Sequence, residues 1–399
     1  MGRIAGRFAR VEPRRRVRKL VLGLLSDLPR KNCWTLAEAA GERTPDGMQH
    51  LLGRAKWEAD QVRDDVRGYV VEHPHDDQAV LVVDETGDVK KGTGTVGVQR
   101  QYTGTAGRIE NAQVAVYLVY AGRRGYAAVD RELYVPRSWT ADSDRCRAAG
   151  LGDETGFATK PELAARMVAR FLDAGHRAAW VAGGEAYGGN TKLRTALEER
   201  RTGDVLAVAC SHEVTTGAGQ FRADALAKKV PKRAWQRLSA GAGAKGHCFY
   251  DWAVIDLADL WPGTRQLLIR RNRSTGELAH YRCYSPVPVP LTTLACVAGS
   301  RWRVGVLRVR QGPGRPGRTP GPSLPVLVPL GHPGHARPRL PGRRPRGRTR
   351  PPPKPGHQRH GLGRATRRWM PPSPGPVLDT AAHGEDCRAQ TYRSLPRSC

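Results

Sequence analysis

The fold is decided by residues 79–87, which are Ala79-Val80-Leu81-Val82-Val83-Asp84-Glu85-Thr86-Gly87. The five apolar residues are too few for a typical helix, and three of them are valines, so the run predicts a buried strand. We expect Asp84 at the carboxyl end of that strand, where α/β sheets open their ligand crevices and where a carboxylate can hold a divalent metal. The alternative is that Asp84 only begins a turn before Gly87.

The composition points to an anionic partner and to a reducing compartment. The chain has 399 residues and a formal net charge of +29, which favours nucleic acid as a partner. No apolar run of 18 residues occurs, and the Arg-rich start lacks an apolar segment, so we expect neither a membrane span nor a signal peptide. The eight Cys are scattered without a CxxC pair, so neither a zinc site nor a disulfide framework is indicated. We therefore expect a cytoplasmic, nucleoid-associated protein.

The first segment, residues 1–78, is predicted to be helical. A basic start at Arg14 leads into an apolar stripe ending at Leu25, and Gly41 stops a second short helix that begins near Trp34. Short basic helices joined by tight turns are typical of a helical DNA-binding module. An ordinary helical cap with solvated arginines fits the pattern equally well.

From residue 79 the pattern becomes α/β. Strands are predicted at 79–83, 96–102, 113–120, 126–134, 178–182 and 204–209, with helices at 160–174 and 192–200. With the strand at 96–102 left aside, the order β-β-β-α-β-α-β resembles the ribonuclease H-like fold, so we expect such a core over residues 79–209. Residues 210–290 are predicted to form a β-rich insertion, and residues 291–304 the start of the last core helix.

The composition changes near residue 305. Residues 305–399 carry a net charge of +16 and hold 19 of the 30 prolines, so we expect a disordered, Pro/Arg-rich tail. One hypothesis is a functional basic arm that binds nucleic acid. The other is a frameshift, because permitted codons for 306–343, read from the second base, encode an amphipathic helical sequence.

Several motifs, in order, resemble the bacterial insertion-sequence transposases of the DDE superfamily. The resemblance covers roughly residues 7–304. It is carried by Val82-Val83-Asp84-Glu85-Thr86-Gly87, Lys90-Lys91-Gly92, Arg131-Glu132-Leu133-Tyr134, Ser138-Trp139-Thr140, Gly156-Phe157-Ala158-Thr159-Lys160-Pro161, Ala298-Gly299-Ser300-Arg301-Trp302 and the longer segments 98–111 and 180–188.

The resemblance implies phosphodiester hydrolysis and strand transfer at a site where three carboxylates hold two Mg²⁺ ions. Asp84 matches the first carboxylate and is expected to be a catalytic residue and a metal ligand. Gly184 stands where the second carboxylate belongs, with Glu185 beside it as a weak substitute, since neighbours on an extended segment point to opposite sides. Arg301 matches the arginine of the last helix, but Gly305 occupies the position of the third carboxylate.

The sequence thus predicts a DNA transposase by descent whose copy here is catalytically inactive. Lys90, Lys91, Arg100 and Arg108 are candidates for gripping DNA phosphates beside the site, and solvated loop charges are the alternative. The resemblance implies transposon terminal repeats as the DNA partner and a homodimer as the working form. A non-catalytic DNA-binding protein and a relic without function are the alternatives.

Overall fold

The computed structural model of the chain describes residues 2–104, 106–243, 246–258 and 262–304. The tail at 305–399, its proposed frameshift and the position of Gly305 lie outside the described residues. The helices are α1 (Gly2–Ala5), α2 (Val11–Leu25), α3 (Cys33–Ala39), α4 (Asp46–Gly53), α5 (Ala59–Glu72), α6 (Arg137–Thr140), α7 (Ser143–Ala148), α8 (Lys160–Asp173), α9 (Glu185–Gly188), α10 (Thr191–Glu199), α11 (Ala223–Lys229) and α12 (Leu291–Val304).

The strands follow the predicted order, and the mixed α/β fold class is confirmed. They are β1 (Val80–Val89), β2 (Gln99–Thr103), β3 (Arg108–Gly122), β4 (Gly125–Tyr134), β5 (Trp180–Gly183), β6 (Gly203–Val208), β7 (Glu213–Thr216), β8 (Gly219–Arg222), β9 (Gln236–Gly243), β10 (Gly246–Asp256), β11 (Thr264–Arg271) and β12 (Leu278–Ser285). The predicted boundaries differ from these by a few residues, as is usual where element ends are judged from sequence.

One mixed sheet organises the described residues. Its strand order is β2-β3-β1-β5-β6-β12-β11-β10-β9, and β4 pairs with β3. Strands β1, β5 and β6 run parallel, and the pairings on either side of them are antiparallel. The strands β9 to β12 of the predicted β-rich insertion therefore extend the central sheet, and only β7 and β8 form a separate hairpin among the described strands. The proposed domain boundaries stay predictions.

Strand β1 is longer than the sequence indicated. Asp84 was expected at its carboxyl end, but β1 continues to Val89 because β3 pairs with it along its whole length, from Val80↔Ala121 to Val89↔Ala112. The expectation was wrong for the side of β1 that pairs with β3, and it holds only for the side that pairs with β5. The parallel pairing with β5 ends at Val83↔Gly183, so Asp84 is the first residue of β1 beyond it.

Each face of the sheet carries its own apolar core. Alternate residues of β1 point to opposite faces, so Leu81 and Val83 enter one core with Met167 and Phe171 of α8. Val80 and Val82 enter the other core, where α12 packs on the sheet with Leu294, Ala295, Val297, Ala298 and Val304 buried. The predicted last helix thus covers the face of the sheet on which Asp84 lies.

The N-terminal helices build a small core of their own. Leu20 of α2, Leu36 of α3 and Met48 of α4 are buried against one another. The predicted helical character of this segment is confirmed.

Helix α5 joins this region to the sheet through a buried carboxylate. The side chain of Asp130 on β4 is fully buried and contacts three guanidinium groups. Its oxygens lie 2.8 Å from Arg170 Nε, 3.4 Å from Arg63 Nε and 3.6 Å from Arg67 Nη1. The two arginines of α5 are therefore held to the sheet by one charge.

None of the helices in the described ranges has both the length and the apolar character that a membrane span requires.

Candidate functional site

Asp84 lies on the face of the sheet that α12 covers. Its side chain is 24% exposed, and its Oδ1 accepts a hydrogen bond from the backbone N–H of Glu85 at 3.0 Å. Directly opposite on β3 lies Tyr117, and burial raises the pKa of that phenol. Asp84 is therefore partly accessible at the rim of a covered face.

Gly184 lies beside Asp84 because it follows the last residue of β5 paired with β1. It is the N-cap of the short helix α9, with φ −75° and ψ 179°, and its carbonyl accepts the N–H of Tyr187 at 3.0 Å. Any residue type can adopt this backbone conformation. The glycine is thus not required by the backbone geometry, and the space that a side chain would need decides what can stand there.

That space is occupied by the guanidinium of Arg301. A Cβ built on Gly184 would lie 2.5 Å from Arg301 Nη2 and 3.0 Å from its Cζ. The same Nη2 lies 3.8 Å from Asp84 Oδ1. Arg301 Nε is buried and has no hydrogen-bond partner within the described part of the chain. A positive charge therefore stands between Asp84 and the position where a second carboxylate was expected.

Glu185 follows Gly184 directly and begins the short helix α9. It was expected on an extended segment, but it begins α9, so the chain turns helical directly after Gly184. Burial raises the pKa of Glu185, and the charge of Arg301 acts in the opposite direction. A raised pKa weakens a carboxylate as a metal ligand, because metal binding needs the deprotonated form.

A divalent metal does not fit the residues present. Mg²⁺ is held by several hard oxygen ligands in near-octahedral geometry. Among the described residues, no group of three His, Cys, Asp or Glu side chains is arranged to hold a metal ion. The Asp84 carboxylate already faces a guanidinium, so a cation there would meet like charge.

The opposite face of β1 carries a hydrogen-bonded pair that the sequence did not reveal. The hydroxyl of Tyr187 donates to Glu85 Oε2 at 2.8 Å, and Lys160 Nζ donates to Oε1 at 3.3 Å. Burial and the neighbouring Glu85 raise the pKa of Tyr187 well above its usual value, so this phenol stays protonated. The contact holds the β5–α9 turn against β1. In the sequence, its only sign is the position of Tyr187 two residues after Glu185.

The four predicted DNA-contacting residues do not form one patch. Lys90 pairs with Asp88, and Arg108 pairs with Glu110 at 2.6 Å. Arg100 pairs in register with Asn111, whereas Arg108 pairs with Thr103, so these two arginines lie on opposite faces of the β2–β3 hairpin. Lys91 and Arg100 are exposed, and Arg100 shares the face of Asp84.

Comparison with known proteins gives two findings. The family model described as "DDE superfamily endonuclease" matches residues 4–238. The chain is also 30% identical over 198 residues to a protein of Microchaete diplosiphon named "Probable transposase for insertion sequence element IS701". That alignment covers 49% of this chain and 49% of the relative, so the chain spans about half the length of the curated relative it matches.

Proposed function

The chain belongs to the DDE superfamily of endonucleases, and on that premise we propose that it is an insertion-sequence transposase by descent that binds transposon-end DNA without cutting it. The whole-protein activity is a proposal, because the alignment with the named transposase covers about half of each chain. The proposal includes a ribonuclease H-like core, DNA terminal repeats as the partner and association with the nucleoid.

The order of strands supports the proposed core. Strands β1, β3 and β4 are antiparallel neighbours, and β5 and β6 lie parallel to β1 on its other side. Helix α8 lies between β4 and β5 in the chain, and α10 between β5 and β6. With β2 left aside, this is the β-β-β-α-β-α-β order that the resemblance implies, with Asp84 on its first strand, β1, and Gly184 directly after its fourth strand, β5.

The observation that carries the proposed inactivity is the contact of Arg301 with both Asp84 and the Gly184 position. Family members usually cut DNA with divalent metal, whose charge stabilises the oxygens of the transferring phosphate. Here the charge beside Asp84 belongs to an arginine, and the second ligand is a glycine.

DNA binding is supported by the N-terminal helices. Arg15 and Arg18 lie on the exposed side of α2, and Arg54 is exposed directly after α4. Helices α3 and α4 pack on α2 and are joined by a short turn, an arrangement in which the second helix can enter a major groove. Phosphate contacts by such arginines give affinity that falls steeply with salt.

The test uses the full chain with duplexes of the terminal repeats that flank its gene. We expect a binding constant whose logarithm falls linearly with the logarithm of the salt concentration. We expect no cleavage with Mg²⁺ or Mn²⁺. The double variant Arg15→Gln/Arg18→Gln should weaken binding and flatten the salt slope. A control that removes two exposed charges elsewhere, Arg124→Gln/Arg177→Gln, should not.

Metal-dependent cutting at the repeat ends would refute the proposed inactivity. Equal, weak binding to repeat and scrambled duplexes would instead favour a relic without function. Light scattering on the complex tests the proposed homodimer, which should show two chains per pair of ends.

A further inference from the structure

The far end of the sheet carries a surface that the proposed function does not use. On β11, Leu267 and Ile269 are buried beneath α11 and the β7–β8 hairpin. The next residue on the same face is Arg271, which lies beyond that cover and opposite Asp251 of β10. Asp251 in turn lies opposite Arg237 of β9. The three strands therefore present a charged row on a face that is open at this end.

Aromatic rings and guanidinium groups alternate on this surface. Arg237 Cζ lies 4.8 Å from the ring centroid of Phe249, and Arg271 Cζ lies 4.3 Å from that of Trp235. His247 adds a ring 6.1 Å from Phe249. Phe249 is 44% exposed, which is high for a phenylalanine, and its strand position fixes it on the outer face. We call Trp235, Arg237, Phe249, Arg271 and Arg273 the outer strip.

The outer strip keeps an excess of positive charge. Asp251 lies 2.9 Å from Arg271 Nη2 and 3.3 Å from Arg273 Nε, so one carboxylate serves two guanidinium groups. Lys232 and Arg233 are exposed two and three residues before Trp235 and add to the charge. The strip therefore suits a polyanion.

The strip is separate from the Asp84 site. Along β10, Tyr250 and Trp252 point into the core beneath α12, so Phe249 and Asp251 point to the opposite face. Asp84 lies on the α12 face, and β5, β6 and β12 lie between β1 and β11 in the sheet. A ligand on the strip would not contact Asp84 or Arg301.

We propose that the outer strip binds unpaired single-stranded DNA, with a base stacked on Phe249 and phosphates held by Arg237 and the neighbouring cations. Exposed rings beside cations are the features with which proteins hold single strands, because every base offers a π-face and every nucleotide a phosphate. A duplex keeps its bases stacked inside and would leave Phe249 without a partner. The choice of DNA over RNA rests on the proposed function.

The test measures fluorescence anisotropy of the full chain with a labelled mixed-sequence single strand, its duplex and the matching RNA. Phe249→Ala should weaken single-strand binding about tenfold, and Phe249→Trp should restore it. Arg237→Gln should lower the slope of affinity against salt by about 0.7, the value for one phosphate contact on a single strand. Tyr126→Ala, which removes a ring that is 40% exposed on β4, and Arg124→Gln are the matched controls and should leave both quantities unchanged.

The proposal is overturned if Phe249→Ala and Arg237→Gln bind the single strand as the unaltered chain does, or if Phe249→Ala weakens binding of the duplex or the RNA more than binding of the DNA single strand. Circular dichroism and the thermal midpoint identify a variant that has lost its fold, in which case Phe249→Trp and Arg237→Gln carry the test. Duplex terminal-repeat binding separates the two proposals. Loss of single-strand binding alone in Phe249→Ala supports the strip, whereas absent repeat binding with an intact Phe249 effect refutes only the transposon-end function.

Discussion

Arg301 Nη2 lies 3.8 Å from Asp84 Oδ1, and the same guanidinium fills the space that a side chain at Gly184 would enter. The arginine comes from α12 and the aspartate from β1, so the contact joins the last described helix to the strand around which the sheet is built. The pair is partly exposed, and its direct contribution to stability is therefore small, on the order of 1 kcal/mol or less.

The first prediction concerns the space beside Gly184. Gly184→Ala should lower the free energy of unfolding by no more than about 1 kcal/mol, because the new Cβ overlaps the end of the flexible Arg301 side chain, which must turn away. In the Arg301→Ala background the same change should cost less than half as much, since the obstacle is gone. Urea unfolding of the four proteins of this double-mutant cycle measures the coupling. An equal loss of unfolding free energy in both backgrounds would contradict a steric conflict between residue 184 and Arg301.

The second prediction concerns divalent metal. Mg²⁺ should leave the thermal midpoint of the full chain unchanged beyond its general salt effect, which an equal ionic strength of NaCl reports. A real site would stabilise the fold by about 2.7 kcal/mol at a free metal concentration a hundredfold above its Kd. A saturable rise in the midpoint that Asp84→Asn abolishes would show that the carboxylate holds a metal after all.

The third prediction concerns Asp130 and the arginines around it. Asp130→Asn should destabilise the chain by about 3–5 kcal/mol, because removing a buried charge leaves its partners uncompensated. Asp173→Asn is the control, since its pair with Arg200 is exposed on both sides and should contribute less than about 1 kcal/mol. Denaturant unfolding measures the loss of stability in both variants. Similar losses in Asp130→Asn and Asp173→Asn would refute the idea that burial makes Asp130 more important.

The fourth prediction concerns pH. Burial lowers the pKa of His280 to about 4, and its Nε2 has no hydrogen-bond partner among the described residues. Between that value and the ordinary 6.5, the unfolded chain binds the proton and the folded chain does not. The contribution of His280 to the free energy of unfolding is therefore fully present above pH 6.5. It is lost as pH drops towards 4, by up to about 3 kcal/mol.

His280→Leu removes that titration by replacing the imidazole ring with an apolar side chain of similar size. The stability difference between the unaltered chain and this variant should change with pH between 4 and 6.5 and be constant above it. Subtracting the two curves cancels other titrating groups, including buried Asp204, whose pKa burial raises. A difference independent of pH would show that His280 binds its proton equally well in the folded and the unfolded chain, so that burial does not shift its pKa.

The sequence predicted the elements well where the signal was local. The valines before Asp84 marked a buried strand, and Gly175, with φ 79°, marks the end of the helix α8 that its apolar spacing predicted. The end of β1 was missed because two carboxylates and Gly87 resemble a turn. Gly87 instead allows close approach of β2, since a Cβ there would overlap Thr103.

The site was predictable only in part, for a physical reason. The order of the motifs assigned Asp84 and Gly184 to one site, and the parallel pairing of β1 with β5 brings them together in space. The position of the Arg301 guanidinium depends on how α12 packs and on the missing side chain at Gly184. Such long-range contacts leave no periodic trace in one sequence. The outer strip was missed likewise, because its residues meet only through the pairing of β9, β10 and β11.

Helix α12 has a consequence for how long such a chain survives in a cell. Its apolar residues, up to Val304, cover the sheet face of Asp84. Chaperones and proteases act on chains whose apolar surface is exposed, and abundance follows the fraction unfolded. Substitutions at the Asp84 site can therefore abolish cutting and leave turnover unchanged, so cellular quality control would not distinguish such a copy from an intact one.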